Sequence, residues 1–335
     1  MTSKDSLQQI VDEHGIVSAI ADYAFFNCDG LSTVDAIVLP NVVSVGTNAF
    51  SNCNNLPYVN LSNATYIGPY AFYYCQNLSS IECQMLSSVK TGTFSDSGIV
   101  SISLPNVVNV DSAFYGCGKL TSVHIPNLSA IRSPGYVGSG NLQSDLRLAF
   151  DGCRKLSSVD FPNLKFIDGN DAFRYCTSLI SVYFPLATSL GNGTFGRCSN
   201  LKYAVFPELS IIGDYKYTSG VFGQCSNLVS VYCPNVLSVG KHAFDDCSSL
   251  SSIDLPNTTC IKEYAFNNCT NLTSIDIPKL STIVGPSIFN NCSSLVSIDI
   301  SNAKRNTSDG SLFNNCVSLS SINCSSLTSI NSQDF

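Results

Sequence analysis

Residues 228–247 read LVSVYCPNVLSVGKHAFDDC, and residues 250–269 read LSSIDLPNTTCIKEYAFNNC. Residue 272 then starts the same phrase again with LTSIDIP, so the period is 22 residues. The unit opens on Leu-x-x-Ile-x-Ile, whose apolar residues alternate with period two, as in a short strand with one buried face. Pro closes that strand because it cannot donate to the next ladder bond. It does so at Pro40, Pro105, Pro126, Pro162, Pro185, Pro207, Pro234, Pro256 and Pro278. A second short apolar run follows, such as Val236 to Val239. A turn comes next, with Gly at 46, 68, 191, 213 and 240, then Ala-Phe, and Cys three residues after the Phe.

Outward from those units the pattern fills the chain. The Phe column runs through Phe25, Phe50, Phe72, Phe94, Phe114, Phe150, Phe173, Phe195, Phe222, Phe244, Phe266, Phe289 and Phe313, and Phe335 begins a fourteenth unit. One such unit cannot bury its own apolar face, whereas stacked units share a continuous core. The expected fold is therefore a repeat solenoid of about 13 units of about 22 residues, built of short β-strands and turns. It forms a single domain over 17–335. Residues 1–16 read as an N-terminal helical cap, because Leu7, Ile10 and Val11 fall at helical spacing and Thr2 with Asp5 resembles a capping pair. The chain stops inside a repeat, so the edge near Ile330 and Phe335 is expected to be open and available for assembly.

Composition narrows the function. Of 335 residues only 12% are charged, and the net charge is −7. Nucleic-acid binding needs clustered Lys and Arg, so no nucleic-acid partner is expected. No apolar run approaches the roughly 18 residues of a membrane span, so no membrane insertion is expected. The first residues carry no apolar signal region, which leaves the route of export open. Sixteen Cys are present, and 12 share one column: Cys28, Cys53, Cys75, Cys117, Cys153, Cys176, Cys198, Cys225, Cys247, Cys269, Cys292 and Cys316. Residues in one column point the same way and cannot form proper disulfides between neighbours. The column reads as small buried hydrophobes, with Ser97 substituting in the fourth unit. Cys83, Cys233 and Cys324 take strand aliphatic positions, and Cys260 falls at a small polar one.

These units resemble the repeats of BspA-like leucine-rich-repeat surface proteins, whose signature is Leu-x-x-Ile-x-Ile-Pro followed by Ile-Gly-x-x-Ala-Phe-x-x-Cys. The resemblance covers nearly the whole chain and implies a right-handed leucine-rich-repeat coil. It also implies a role in surface display and adhesion, with a protein or glycan on a cell surface as partner. Phe-Pro-Asn-Val-rich arrays are similar to phage virion proteins of gut bacteria too. That implies an alternative: a host-binding or decoration component on a virion surface, docked to neighbouring virion proteins through one solenoid end.

No catalytic motif accompanies the repeats. The three His are far apart, and Ser-nucleophile, phosphate-loop and zinc-helix signatures are absent. No enzymatic activity and no cofactor are expected. His124 and Asp160 share the outward strand column and read as a surface pair. The same column carries Tyr183, Val205 and Tyr232, a central aromatic patch suited to binding. Asp254, Asp276 and Asp299 follow it as a row of like charge. Calcium is the sharper reading of that row and a solvated acidic face the blander one. Two departures from the period stand out. Phe114 to Phe150 spans 36 residues, and the excess includes Arg132, Tyr136 and Arg147. Phe195 to Phe222 spans 27, with Tyr215, Lys216 and Tyr217 in the excess. Both enter just before the Ala-Phe position and are expected to leave one side of the coil about 15 Å apart. Insertions of this kind often build the binding face. A third, smaller bulge carries Lys304 and Arg305.

Overall fold

The computed structural model describes residues 9–11 (backbone only), 15–28, 36–132, 149–213, 220–306, 310–327 and 334. Contacts group the chain into two compact units, Met1–Asn163 and Leu164–Phe335. Each is a parallel β-solenoid whose described coils lay down a front strand and, up to Lys304–Arg305, a back strand, each of two or three residues.

In the first unit the front strands form two parallel sheets. Gln9–Val11, Ala36–Val38, Tyr58–Asn60 and Ser80–Glu82 make one; Ser101–Ser103, Ser122–His124 and Ser158–Asp160 make the other. In the second unit Ser181–Tyr183, Tyr203–Val205 and Ser230–Tyr232 pair in order. Two shorter pieces follow, Ser252–Asp254 with Ser274–Asp276 and Ser297–Asp299 with Ser321–Asn323. The back strands of this unit run unbroken from Phe166–Asp168 to Lys304–Arg305. Alternation works as the sequence requires: in Ser252–Asp254 the middle Ile253 is buried and its neighbours are exposed.

The turn carrying Ala-Phe supplies a third hydrogen-bonded side. In the first unit Tyr23, Phe25 and Asn27 donate their amides to Thr47, Ala49 and Ser51 of the next coil, at 2.9, 2.7 and 2.9 Å. The amides between them, Ala24, Phe26 and Cys28, close turns within the coil. Donating alternately outward and inward satisfies every amide there, and in most described coils it goes with left-handed backbone two residues before and two after the Phe. Tyr23 and Asn27 sit at φ 57° and 53°, and His242 and Asp246 repeat this at 54° and 60°. The Phe rings stack along the coil axis, with centroids 4.9 Å apart for Phe25–Phe50 and 5.2 Å for Phe244–Phe266.

The cysteine column does more than fill space. Cys75 Sγ donates to the Phe50 carbonyl at 3.0 Å, and Cys247 Sγ donates to Phe222 at 3.1 Å. Each such carbonyl also takes the amide of its own coil's Cys, so both of its lone pairs are used. All 16 Cys are free, and the column is buried except at Cys28 and Cys316, which are half-buried. Ser97, in the same column, lies 3.6 Å from Cys117 Sγ. The abundant Ser, Thr and Asn also have a structural use. Asn127 Nδ2 reaches Pro105 O at 2.8 Å and Asn235 Nδ2 reaches Pro207 O at 2.9 Å. Thr188 and Ser210 hydroxyls continue the same stitching between coils.

The helical reading of the N-terminal cap is corrected. No helix occurs among the described residues, and Gln9–Val11 is a strand pairing in parallel with Ala36–Val38. The open amides and carbonyls of that edge offer Ile10 and Val11 a ladder, and β-branched residues fit a strand better than a helix. Leu7, Thr2 and Asp5 lie outside the described residues. The expected bulge at Lys304 and Arg305 is also a strand: it extends the back ladder opposite Thr282 and Ile283.

Candidate functional site

The front face of the second unit gathers the outward aromatics. Register places Tyr183 opposite Val205 and Val205 opposite Tyr232, with Tyr203 in the neighbouring outward row between Ser181 and Ser230. Tyr183 is 61% exposed, Tyr232 56% and Tyr203 50%, and Ile180 and Val229 lie exposed one residue before the strand row. The sequence pointed to Tyr183 and Tyr232. It also held the signal for Tyr203, a Tyr where adjacent coils carry Ser at the first outward strand position.

The front ladder stops after Tyr232, and a cleft of about 330 Å³ opens there, lined by Tyr232, Pro234, Ile253, Asp254 and Pro256. The acidic row is interrupted in the same way. Asp254 faces Asp276 in register, but Asp299 belongs to the next ladder piece. Its carboxylate accepts from the Ser301 amide at 2.9 Å and from Asn323 Nδ2 at 3.2 Å, and the Ser301 bond holds its pKa below the usual carboxylate value. No group of three His, Cys, Asp or Glu side chains able to hold a metal occurs among the described residues.

His124 and Asp160 do meet, in register and 3.2 Å apart, with side chains 53% and 65% exposed. So open a pair has little electrostatic leverage on chemistry. Arg132 ends its back strand exposed. Tyr136, Arg147, Tyr215, Lys216, Tyr217, Ile330 and Phe335 lie outside the described residues. Asp334 is described, and it continues the turn ladder past Phe313. Its carbonyl takes the Phe313 amide at 2.8 Å, and its carboxylate meets Arg305 Nη1 at 2.7 Å, with both side chains under 5% exposed.

The repeat geometry has a counterpart among known proteins. A family model described as BspA type leucine rich repeat region, in six copies, matches residues 3–121, 109–220 and 216–335. The chain belongs to that family. A leucine-rich repeat protein from Bacteroides ovatus is 28% identical with a TM-score of 0.70, over 93% of this chain and 77% of that one. A leucine rich cell surface protein from Faecalibacterium prausnitzii is 22% identical with a TM-score of 0.42, over 95% and 84%. A leucine-rich repeat protein from Eubacterium ventriosum is 18% identical with a TM-score of 0.48, over 84% and 83%. None of the curated proteins matches the chain. For this BspA-type chain the described residues contain no helix long and apolar enough to cross a membrane.

Proposed function

We propose that this BspA-type chain is a non-catalytic recognition scaffold, displayed on a surface, that binds a protein partner through the front face of its second unit. The observation that carries the reading is the exposed cluster of Tyr183, Tyr203 and Tyr232 on backbone fixed by ladder bonds. Tyr offers a large contact area and a polar tip at low conformational cost. The cleft beside Tyr232 suits an apolar side chain, and Asp254 at its rim suits a basic neighbour. The insertions carrying Arg132, Tyr136, Arg147, Tyr215, Lys216 and Tyr217 belong to the same reading as adaptable polar contacts around a rigid aromatic anchor.

The test is binding of the labelled chain to immobilised matrix proteins and to intact bacteria. Wild type would be compared with the Tyr183→Ala/Tyr232→Ala double variant and with a deletion of 133–148. Removing two aromatic anchors is expected to weaken binding at least tenfold. Equal binding by the double variant and wild type would discard the front face as the recognition surface.

A further inference from the structure

The turn side of the second unit contains a notch that the repeat pattern does not require. Two columns flank the Phe stack: the residue two before it and the residue one after it. In four successive coils these are Asp171 and Arg174, Gly193 and Gly196, Gly220 and Gly223, then His242 and Asp245. Both columns thus lose their side chains together over two adjacent coils. The result is a cavity of about 260 Å³ lined by Asp171, Arg174, Arg197, Gln224, His242 and Asp245 over a glycine floor. Its end walls are three coil steps apart, about 14 Å between backbones.

Folding requires only one of these four glycines. Gly220 is obligatory, since a Cβ there would lie 1.5 Å from the His242 carbonyl oxygen, whereas Gly193 adopts φ 58°, in the left-handed region that Asp171 and His242 adopt in the same column. Gly196 and Gly223 have ordinary backbone angles, and a Cβ on them would meet its nearest atom at 3.2 and 3.3 Å. Other coils carry Tyr73, Asn267 or Asn290 at that position. Those contacts, to the Gly193 and Gly220 carbonyl oxygens, are tight, but the side chains at Tyr73, Asn267 and Asn290 show that the turn accommodates more than glycine there.

The walls are held rigid and are neutral as a set. Asp171 and Arg174 pair at 3.7 Å, and His242 Nδ1 meets Asp245 Oδ2 at 2.7 Å. The Arg174 and Arg197 guanidiniums both lie against the Tyr175 ring, 4.9 and 5.2 Å from its centre, and Arg197 Nη1 donates to the Tyr175 hydroxyl at 2.7 Å. The His242 ring stacks on Tyr264 at 4.7 Å. Asp171 Oδ1 is buried with no hydrogen-bond partner, and burial raises the pKa of this carboxyl. Two Arg face two Asp, so their charges cancel and no strong net field selects a charged ligand. What remains is a concave site with a donor and an acceptor side by side at each end, Arg174 with Asp171 and His242 with Asp245, an arrangement able to read vicinal hydroxyls. Its volume falls below the roughly 300 Å³ at which drug-sized pockets begin, which limits it to one ring.

We propose that this notch binds a single neutral pyranose residue, such as the terminal sugar of a glycan. The site is separate from the front-face aromatics and does not depend on them. The experiment is saturation-transfer NMR on the full chain with methyl β-D-galactopyranoside, methyl β-D-glucopyranoside and methyl α-D-mannopyranoside. N-acetylneuraminic acid and L-alanine serve as charged probes. At least one neutral glycoside is expected to bind, and Gly223→Asn and Gly196→Asn, which fill the floor, are expected to weaken it at least tenfold with unchanged melting. Asp245→Ser, a side chain this column carries at Ser51 and Ser95, is the second probe should either Asn variant fail to fold. The Tyr183→Ala/Tyr232→Ala variant is expected to bind the glycoside normally. Four results would overturn the proposal: no transfer to any neutral glycoside, binding of the charged probes alone, undiminished binding after the notch is filled, or loss confined to the front-face variant.

Discussion

At the scale of one residue, the cysteine column shows how a hydrophobic position acquires a polar duty. A buried carbonyl with one donor is partly satisfied, and the thiol of the next coil completes it without adding volume. Cys247→Ser keeps a donor toward Phe222 O and follows the natural Ser97, so it is expected to cost about 1 kcal/mol or less. Cys247→Val removes the donor and crowds a packed column, for an expected loss of about 1–3 kcal/mol in urea unfolding. Burial also governs the pH response. It pushes the thiols of Cys83, Cys225 and Cys233 up to about 12, well above the usual thiol value. A group whose folded pKa is raised contributes stability that is complete below its unfolded pKa and is lost as pH climbs through the folded one. Melting temperature is therefore expected to hold to about pH 9 and to fall steadily between pH 9 and 12. A flat profile across that window would show these thiols to be solvated.

At the scale of the element, the Phe turn is the part that sequence patterns did not display. Phe and Cys columns were legible because their side chains point inward and are held to one size, and the Pro column because Pro ends each front strand where it occurs. The two left-handed positions hold Tyr, Asn, Asp, Ser, His, Arg, Gln or Gly, as at Tyr70, Asn268, Asp171, Ser287, His242, Arg197, Gln224 and Gly92, so no consensus marks them. Hydrogen bonds between coils fix that backbone, and residue preference has little say. The cap failed for a related reason: Ile10 and Val11 are too few to distinguish a helix face from one strand, and the open edge decides. Tyr183 and Tyr232 were readable as outward residues, whereas a notch made by Gly196 and Gly223 is an absence and carries no motif. Asn268 tests the turn directly. It sits at φ 58°, donates to Asp246 Oδ1 at 2.7 Å and accepts from Asn291 Nδ2 at 2.7 Å. Asn268→Gly is expected to cost about 1 kcal/mol through the lost side-chain bonds. Asn268→Val adds the strain of a β-branched residue in left-handed backbone, a further 1–3 kcal/mol or so. Equal destabilisation by the two variants in urea titrations would show that the backbone relaxes around the change.

At the scale of the molecule, a solenoid distributes stability along its axis, because each coil is held only by its neighbours. A weakened coil should then fray locally while distant coils stay closed. Arg305 offers a clean test within the second unit. It stands opposite Ile283 in the back ladder, a position other coils give to Val239, Ile261 or another aliphatic, yet its side chain is buried. The Asp334 carboxylate at 2.7 Å compensates for bringing the guanidinium in from water. Removing one partner of a buried pair leaves the other unpaired, which typically costs about 3–5 kcal/mol. Asp334→Ala is therefore expected to open the coils around residues 297–327. Their amides should exchange faster by two to three orders of magnitude, while residues 203–239 keep wild-type protection. Arg305→Ile combined with Asp334→Ala restores the aliphatic column and is expected to recover most of that protection. If the single variant instead accelerates exchange equally at 203–239 and 297–327, the second unit unfolds as one block and nearest-neighbour stacking does not describe it.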